Sequence, residues 1–257
     1  MKKNFLNKRR KKFFYSKKIL YLFLFFFSIF FFYTYIANNH KVLNQINNYI
    51  ENYSKKYQYV LSEITITGLN YINEEEILKF FNLYKDKSIF LIPIGDIMIK
   101  INENNWIKSI NIRSNYNNKI IVNVEEHEPL GVYFSGYHNV LFSKDLKILE
   151  ILIDNDHRFS KLVIFEGENS MNESKILFDL LSPDFINIIK IAKFINNRRW
   201  NLKLDNNILL KLPEKNIEEA INNYKKIFMN FSNNELNDIE SIDLRMKQKA
   251  ILRYKEN

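Results

Sequence analysis

The sequence contains no cysteine, which excludes a disulfide framework, a thiolate metal site and a cysteine nucleophile. Glycine and proline are scarce, at five and four of 257 residues, which excludes collagen-like and glycine-rich linker character. So few glycines could hardly build a phosphate-binding loop, and no nucleophile elbow is present. No metal-motif spacing relates the four histidines, His40, His127, His138 and His157. We therefore expect no cofactor, no metal, no small-molecule substrate and no enzymatic activity, which leaves a binding role.

The positive charge is concentrated at one end of the chain. Nine of the 38 basic residues lie within the first 18 positions, and no acidic residue precedes Glu51. Removing nine from 38 leaves 29 basic residues, equal to the 29 acidic ones, so the net charge of +9 belongs to the tail. The remainder has no basic footprint of a nucleic-acid-binding domain, and we expect no nucleic-acid partner. An alternative interpretation of the basic tail is that it binds nucleic acid. However, a run of basic residues beside an apolar segment is usually the signal that orients a membrane span.

An uncharged apolar segment, residues 19–37, follows the basic tail directly. As a helix it is ~28 Å long, close to the ~30 Å thickness of a bilayer's hydrocarbon core. The alternative is a cleavable signal peptide, whose apolar region is ~7–15 residues long and ends in small residues. Here the run is longer and bulky, with Ala37 as its only alanine. We predict an uncleaved anchor, with the tail cytoplasmic and residues 38–257 outside the cytoplasm.

The exported part begins with helical spacing and then changes pattern. Residues 40–59 place apolar side chains at three- and four-residue steps, which predicts a helical stalk. A strand at 61–67, helices at 74–83 and 97–104, and strands at 107–113 and 119–125 follow, in the order β-α-α-β-β.

The region from about Pro129 is mixed. We predict strands at 130–134, 139–142, 147–151 and 162–165, then helices at 173–181 and 184–196. A hairpin with an Asn206-Asn207 turn joins 200–204 to 208–212, a helix spans 217–231, and strands at 241–245 and 250–254 close the chain.

Two clusters of functional residue types have simple structural interpretations. Glu125, Glu126, His127 and Glu128 could suggest a metal site, but consecutive strand residues point to opposite faces, so we interpret them as solvated strand-end charge. The Arg198-Arg199-Trp200 segment could clamp an anion. We interpret it as a basic helix C-terminus above a packed tryptophan.

Several segments of the sequence together resemble a known family. Five segments, in order, are similar to motifs of the FtsQ/DivIB family of bacterial cell-division proteins: residues 64–68 (ITITG), 105–109 (NWIKS), 124–129 (VEEHEP), 198–204 with 212–214 (RRWNLKL and LPE), and 242–245 (IDLR). The resemblance implies an α+β fold with an N-terminal transmembrane helix, a POTRA (β-α-α-β-β) domain, and a mixed α/β domain, the β domain, with an antiparallel sheet. The expected divisions are a basic tail at 1–18, the transmembrane helix at 19–37, the stalk at 38–60, the POTRA domain at 61–128 and the β domain at 129–257.

The resemblance also implies a function. Members of this family are non-enzymatic scaffolds of the divisome, anchored in the inner membrane with their domains in the periplasm and enriched at the septum. The β domain binds FtsB, with FtsL alongside, to link early and late division proteins and control septal peptidoglycan synthesis. Other division proteins are expected at the POTRA domain.

The family's FtsB contact involves the last strand and an arginine at the end of the RRW helix. Transferred to this sequence, the implied partner-binding residues are Arg198, Arg199, Met246, Gln248, Lys249, Ala250, Ile251, Leu252, Arg253 and Tyr254. Two positions depart from the family pattern, because Met246 replaces an aromatic residue and Leu146 stands where a turn glycine is common.

Physical reasoning is compatible with this site, since a terminal strand can have a free edge to which a partner strand adds. The alternative is that Lys249 and Arg253 only guard the edge against aggregation. Other functions left open are an exported adaptor of another envelope process and a POTRA-containing assembly factor for membrane proteins. A membrane-anchored hydrolase lacks any supporting motif.

Overall fold

The computed structural model describes residues 3–38, 40–153, 157–247 and 249–255. It has eight α-helices in the described residues: α1 Lys3–Asn38, α2 His40–Tyr57, α3 Glu74–Leu78, α4 Ile94–Asn102, α5 Ser170–Asp179, α6 Pro183–Ile186, α7 Ile217–Phe228 and α8 Asn233–Asn237. Its twelve strands in the same ranges are β1 Glu63–Thr67, β2 Ile107–Ser114, β3 Lys119–Glu126, β4 Pro129–Phe134, β5 Asn139–Ser143, β6 Ile148–Leu152, β7 Ile164–Glu166, β8 Ile189–Ile195, β9 Arg199–Leu204, β10 Leu209–Lys211, β11 Ile239–Asp243 and β12 Ile251–Tyr254.

Helix α1 contains the predicted apolar segment. Its window Lys18–Tyr35 is long and apolar enough to cross a membrane, and it is the only such helix in the described ranges. Helix α2 follows and confirms the helical spacing predicted for the stalk.

The β-α-α-β-β order predicted between residues 61 and 125 is confirmed. Strands β1, β2 and β3 form a three-stranded sheet in the order β1-β3-β2. The first helix is shorter than predicted, because α3 ends at Leu78 and a 3₁₀ turn at Asn82–Tyr84 replaces its last part.

The other strands form one nine-stranded sheet in the order β12-β11-β10-β9-β8-β7-β4-β5-β6. A row of aligned residues on one face crosses seven of these strands: Tyr133, Phe165, Ala192, Leu202, Leu210, Ile242 and Leu252. Helices α5 to α8 bury their apolar side chains against this face, including Leu177, Phe185, Ile221 and Leu236. The sheet is therefore covered on one face, and strands β12 and β6 form its two edges.

The chain divides into two compact units. The first takes in the chain up to Ile66, together with Glu75–Ile97 and Ile112–Val122. The second contains Thr67–Glu74, Met98–Asn111 and the chain from Asn123 onward.

The helix predicted at 184–196 is wrong. Only Pro183–Ile186 is helical, and Ile189–Ile195 is strand β8. Asn196 and Asn197 both have left-handed backbone angles, with φ of 50° and 51°, and Arg198 N–H donates to Ile195 C=O at 3.1 Å. The two left-handed residues lie in a three-residue connection between the paired Ile195 and Arg199, so β8 and β9 form a hairpin, and this pairing overrides the helix-like spacing of the apolar residues.

The interpretation of Glu126 and His127 as solvated charge is also wrong, because both residues are 8% exposed. The Glu126 carboxylate accepts three backbone N–H groups, from Asn70 at 3.0 Å, Tyr71 at 2.8 Å and Ile72 at 3.0 Å. His127 Nδ1 lies 3.1 Å from Asp145 Oδ2. Glu126 therefore fixes the loop that follows β1. No group of three metal-ligating side chains occurs in the described part of the chain.

Candidate partner-binding edge

Strand β12 forms one edge of the nine-stranded sheet and pairs with β11 in antiparallel register. Leu252 lies opposite Ile242, and Ile251 lies opposite Asp243. On the other side of β12, no strand is paired within the described residues. The predicted open edge is thus present.

The direction of the free backbone groups follows from one hydrogen bond. Lys255 N–H donates to Asp238 C=O at 2.8 Å, so the main chain of Lys255 faces β11. Because backbone groups alternate along a strand, those of Arg253 and Ile251 also face β11, whereas those of Leu252 and Tyr254 point outward. These outward N–H and C=O groups can pair with an added strand.

The side chains along the edge offer both apolar and charged contacts. Met246, Ile251 and Tyr254 are 52%, 55% and 51% exposed, while Ala250 and Leu252 are partly buried against the core. Lys249 is exposed, and Arg253 Nε lies 2.8 Å from Glu240 Oε2. The structure does not describe Gln248, so the prediction for that residue lies outside the described residues.

The loop from β11 to β12 begins with an ion pair that sequence reasoning missed. The Arg245 guanidinium donates to the Asp243 carboxylate, with Nε–Oδ1 and Nε–Oδ2 distances of 2.8 and 2.9 Å. This pairing lowers the pKa of the Asp243 carboxyl and raises that of Arg245. The signal in the sequence was the two-residue spacing of opposite charges at a strand end, which places both side chains on one face.

A groove of about 420 Å³ adjoins this loop. Its walls come from the segment before α7, from α7 itself and from the β11–β12 loop, and include Pro213, Glu214, Glu219, Arg245 and Met246. Arg198 Nε lies 3.5 Å from Glu214 Oε2. The groove was not predicted, because its two walls are about thirty residues apart in the sequence.

Arg198 and Arg199 do not end a helix, contrary to the sequence interpretation. Arg198 closes the β8–β9 turn and is exposed, and Arg199 begins β9. The Nε atom of Arg199 is buried without a hydrogen-bond partner in the described part of the chain. Trp200 packs into the core, 4% exposed, as part of a strand.

The strand order fixes the distance from these arginines to the edge. Strand β9 is three positions from β12, which at ~4.8 Å per strand is about 14 Å. The start of β9, the end of β10, the end of β11 and the start of β12 lie at the same end of the sheet. The structure therefore brings Met246 and residues 249–254 together, and places the two arginines at the same end but apart from the edge.

Leu146, at the position where a turn glycine was expected, adopts a left-handed conformation with φ of 60° in the β5–β6 turn. The hairpin keeps its pairing, because Leu146 N–H donates to Ser143 C=O at 2.9 Å. The β5–β6 hairpin therefore forms with leucine at this position.

Comparison with known proteins gives two family matches. Residues 60–127 match the family described as "POTRA domain, FtsQ-type", and residues 135–245 match "Cell division protein FtsQ/DivIB, C-terminal". Similar curated proteins are named "Cell division protein FtsQ". The one from Rickettsia felis is 31% identical over 198 residues, covering 76% of this chain and 72% of the relative.

Two further relatives carry the same name. The protein from Rickettsia bellii is 33% identical over 193 residues, with 74% of this chain and 70% of the relative covered. The protein from Rhizobium meliloti is 25% identical over 194 residues, with 75% of this chain and 62% of the relative covered. The predicted architecture of one apolar N-terminal helix, a POTRA domain and a sheet-rich C-terminal domain is confirmed, and the chain belongs to the FtsQ/DivIB family of cell-division proteins.

Proposed function

We propose that this protein is a non-enzymatic, single-pass scaffold of the divisome that binds FtsB, with FtsL alongside, through strand β12. The observation that carries the proposal is the open edge of β12 at the end of a nine-stranded sheet. A partner strand adding there gains main-chain hydrogen bonds from the outward groups of Leu252 and Tyr254. Through this contact the protein links early and late division proteins and controls septal peptidoglycan synthesis.

The side chains around the edge supply specificity. Met246, Ile251 and Tyr254 offer exposed contact area. The flexible thioether of Met246 can adapt its shape to a partner, and the tyrosine ring supplies contact area at low entropic cost. The loop and strand carry Arg245, Lys247, Lys249 and Arg253 against Asp243 and Glu240. This excess of positive charge favours a partner segment that contains carboxylates.

Arg198 and Arg199 make a second contact in this proposal. Because they lie about 14 Å from β12, a partner must extend past the added strand to reach them. The groove beside Met246 is lined in part by Glu214, and Arg198 forms an ion pair with Glu214.

The binding test uses the full-length chain co-purified from membranes with full-length FtsB and FtsL. Ala250→Glu places a carboxylate beside the edge and should weaken FtsB retention by at least about 100-fold, a loss of the size seen at interface hot spots. Ala250→Ser is the matched control and should bind normally. Undiminished binding by a folded Ala250→Glu variant would remove the site assignment.

A second pair of variants isolates the main-chain contribution. Tyr254→Ala removes the side chain but keeps the outward N–H, whereas Tyr254→Pro removes both. Because that N–H points away from β11, proline should preserve the sheet and still cost about 1 kcal/mol more binding free energy than alanine. Equal affinities for the two variants would argue against strand addition.

We also propose the orientation and the location. The basic tail stays in the cytoplasm by the positive-inside rule, and residues 38–257 lie in the periplasm. A reporter fused after residue 257 should be active only outside the cytoplasm, and a cytoplasmic signal would reverse the topology. A fluorescent fusion should form a midcell ring, whereas an even membrane distribution would favour an adaptor outside division.

A further inference from the structure

Helix α2 carries an apolar stripe that is mostly exposed, with only Tyr53 stacked on a ring of its own unit, that of Tyr59, at 6.5 Å between ring centroids. Val42, Ile46, Tyr49, Tyr53 and Tyr57 form this stripe, and we call these five residues the stalk seam. At about 100° per residue they fall within an arc of roughly 80° on the helix. Ile46, Tyr49, Tyr53 and Tyr57 are 40%, 80%, 57% and 50% exposed, and the rings of Tyr53 and Tyr57 lie 4.6 Å apart. Exposed apolar surface of this kind typically marks an interaction site.

A different face of α2 packs against the rest of the first compact unit, to which the helix belongs. Ser54 is fully buried, and its Oγ lies 2.7 Å from Ser88 Oγ. Ser88 N–H donates to Glu51 Oε2 at 3.0 Å, and Ile50 is partly buried on the same side. The centre of this docked face is about 100° from the centre of the stalk seam. Docking therefore leaves Ile46, Tyr49, Tyr53 and Tyr57 at least 40% exposed.

We propose that the stalk seam pairs with the stalk seam of a second copy of this chain, as a short parallel coiled coil next to the membrane. The steps between Val42, Ile46, Tyr49 and Tyr53 are four, three and four residues, which is heptad spacing. Ile46 supplies the β-branched residue that favours two-stranded pairing at one core position.

The charge pattern of the helix permits pairing with a second copy. From Val42 to Tyr53, the core positions and the positions flanking them are uncharged; the two flanking polar residues are Gln45 and Asn52. Lys41, Glu51 and Lys55 lie on other faces, and Lys56, at the next core position, ends the heptad pattern after Tyr53. Like charges at flanking positions would oppose self-pairing, and this helix has none between Val42 and Tyr53.

The membrane span sets the geometry of pairing. The apolar window ends at Tyr35, seven residues before Val42, so two copies anchored in one membrane present their stalks parallel and in the same register. The heptad-spaced part of the seam, from Val42 to Tyr53, is about 16 Å long, which is too short for a stable coiled coil in dilute solution. Anchoring raises the effective concentration of one stalk around another, which compensates for the short contact.

The absence of cysteine from the chain allows a direct test in membranes that hold the full-length protein. Ile46→Cys, Tyr49→Cys and Tyr53→Cys, each alone, should form disulfide-linked dimers under mild oxidation. The matched controls are Asn44→Cys, Asn48→Cys and Lys55→Cys, which lie on the opposite side of the same helix. Seam positions should cross-link at least about 10-fold more than the controls, because membrane confinement alone favours neither set.

A second measurement does not depend on disulfide chemistry. Two differently tagged full-length copies should co-purify from mixed membranes, and Tyr49→Lys with Tyr53→Lys should reduce their recovery at least about 10-fold through like-charge repulsion. Asn44→Lys with Asn48→Lys should leave it unchanged. Tyr49 and Tyr53 are exposed, so the fold should persist, which protease resistance of the exported part would check.

The outcomes separate clearly. Equal cross-linking at both sets of positions, or none at the seam, would refute the pairing. An adduct between a seam cysteine and another protein, without the dimer, would assign the seam to a different partner and would also refute it. Ala250→Glu should leave the dimer intact, so this inference and the edge-binding proposal can fail independently.

Discussion

Replacing Glu126 by glutamine should loosen the loop after β1 and destabilise the second compact unit. The carboxylate is 8% exposed and accepts the N–H groups of Asn70, Tyr71 and Ile72. One oxygen, Oε2, accepts two of these bonds, and Oε1 accepts the third, from the buried Ile72 amide. Glutamine keeps one acceptor oxygen but places an NH₂ group where the other oxygen was, so at least one amide faces a donor.

The magnitude follows from these bonds. Hydrogen bonds to a charged group contribute about 1.5–3 kcal/mol each, and an orphaned buried amide costs about 1–3 kcal/mol. We therefore expect Glu126→Gln to lower the free energy of unfolding by about 1.5–3 kcal/mol. Glu126→Ala removes all three bonds and should lower the free energy of unfolding by about 2–4 kcal/mol. The loss is smaller than the sum of three bonds because the two partly buried amides can bind water instead.

The matched control is the neighbouring residue Glu125. It is exposed and contacts Lys108 Nζ at 2.9 Å and Ser109 Oγ at 2.9 Å. The Lys108 ammonium and the Ser109 hydroxyl lower the pKa of the Glu125 carboxyl, but solvent screens an exposed ion pair, so it adds little to stability. Glu125→Gln should therefore change the free energy of unfolding far less than Glu126→Gln.

Two assays on the full-length protein in detergent check this. Urea unfolding followed by tryptophan fluorescence gives the stability, since the Trp106 ring lies 4.7 Å from the Tyr71 ring in the affected region. Hydrogen exchange should show faster exchange of the amides of residues 70–72 in Glu126→Gln only. Equal, small effects of the two glutamine variants would refute the assignment of Glu126 as the loop's anchor.

Two other predictions concern local strain and alkaline pH. Gly68 has φ of +87°, and a Cβ there would lie 1.9 Å from Val124 O. Gly68→Ala should therefore lower the free energy of unfolding, measured in urea, by about 2–4 kcal/mol. The control is Gly95→Ala in α4, where nothing lies within 4 Å of the added Cβ; it should leave the free energy of unfolding unchanged or raise it by up to about 1 kcal/mol. A larger loss of stability in Gly95→Ala than in Gly68→Ala would contradict this reasoning. Burial, with a smaller contribution from Asp205, raises the pKa of Tyr224 from 10 to about 12. The stability linked to Tyr224 is therefore complete below pH 10 and is lost as the pH rises towards 12; Tyr224→Phe should flatten that fall in unfolding experiments, and an unchanged pH profile would disprove the link.

The sequence by itself determined the features that depend on neighbouring residues. The nineteen uncharged residues predicted the membrane helix, and the three- and four-residue steps predicted α2. Turn chemistry at Asn206-Asn207 predicted the β9–β10 hairpin, which the antiparallel register of those strands confirms. Each of these patterns lies within about twenty consecutive residues, so interactions between neighbouring residues were enough to predict the element.

Tertiary structure decided what depends on distant partners. Residues 189–195 form a strand because β7 and β9 supply backbone partners on both sides, although their apolar spacing also fits a helix. Glu126 is buried because a loop more than fifty residues earlier brings three amides to it. Only the strand order places β12 at an edge and Arg198 about 14 Å away from it. Burial and strand neighbours are properties of the whole chain, and no local pattern encodes them.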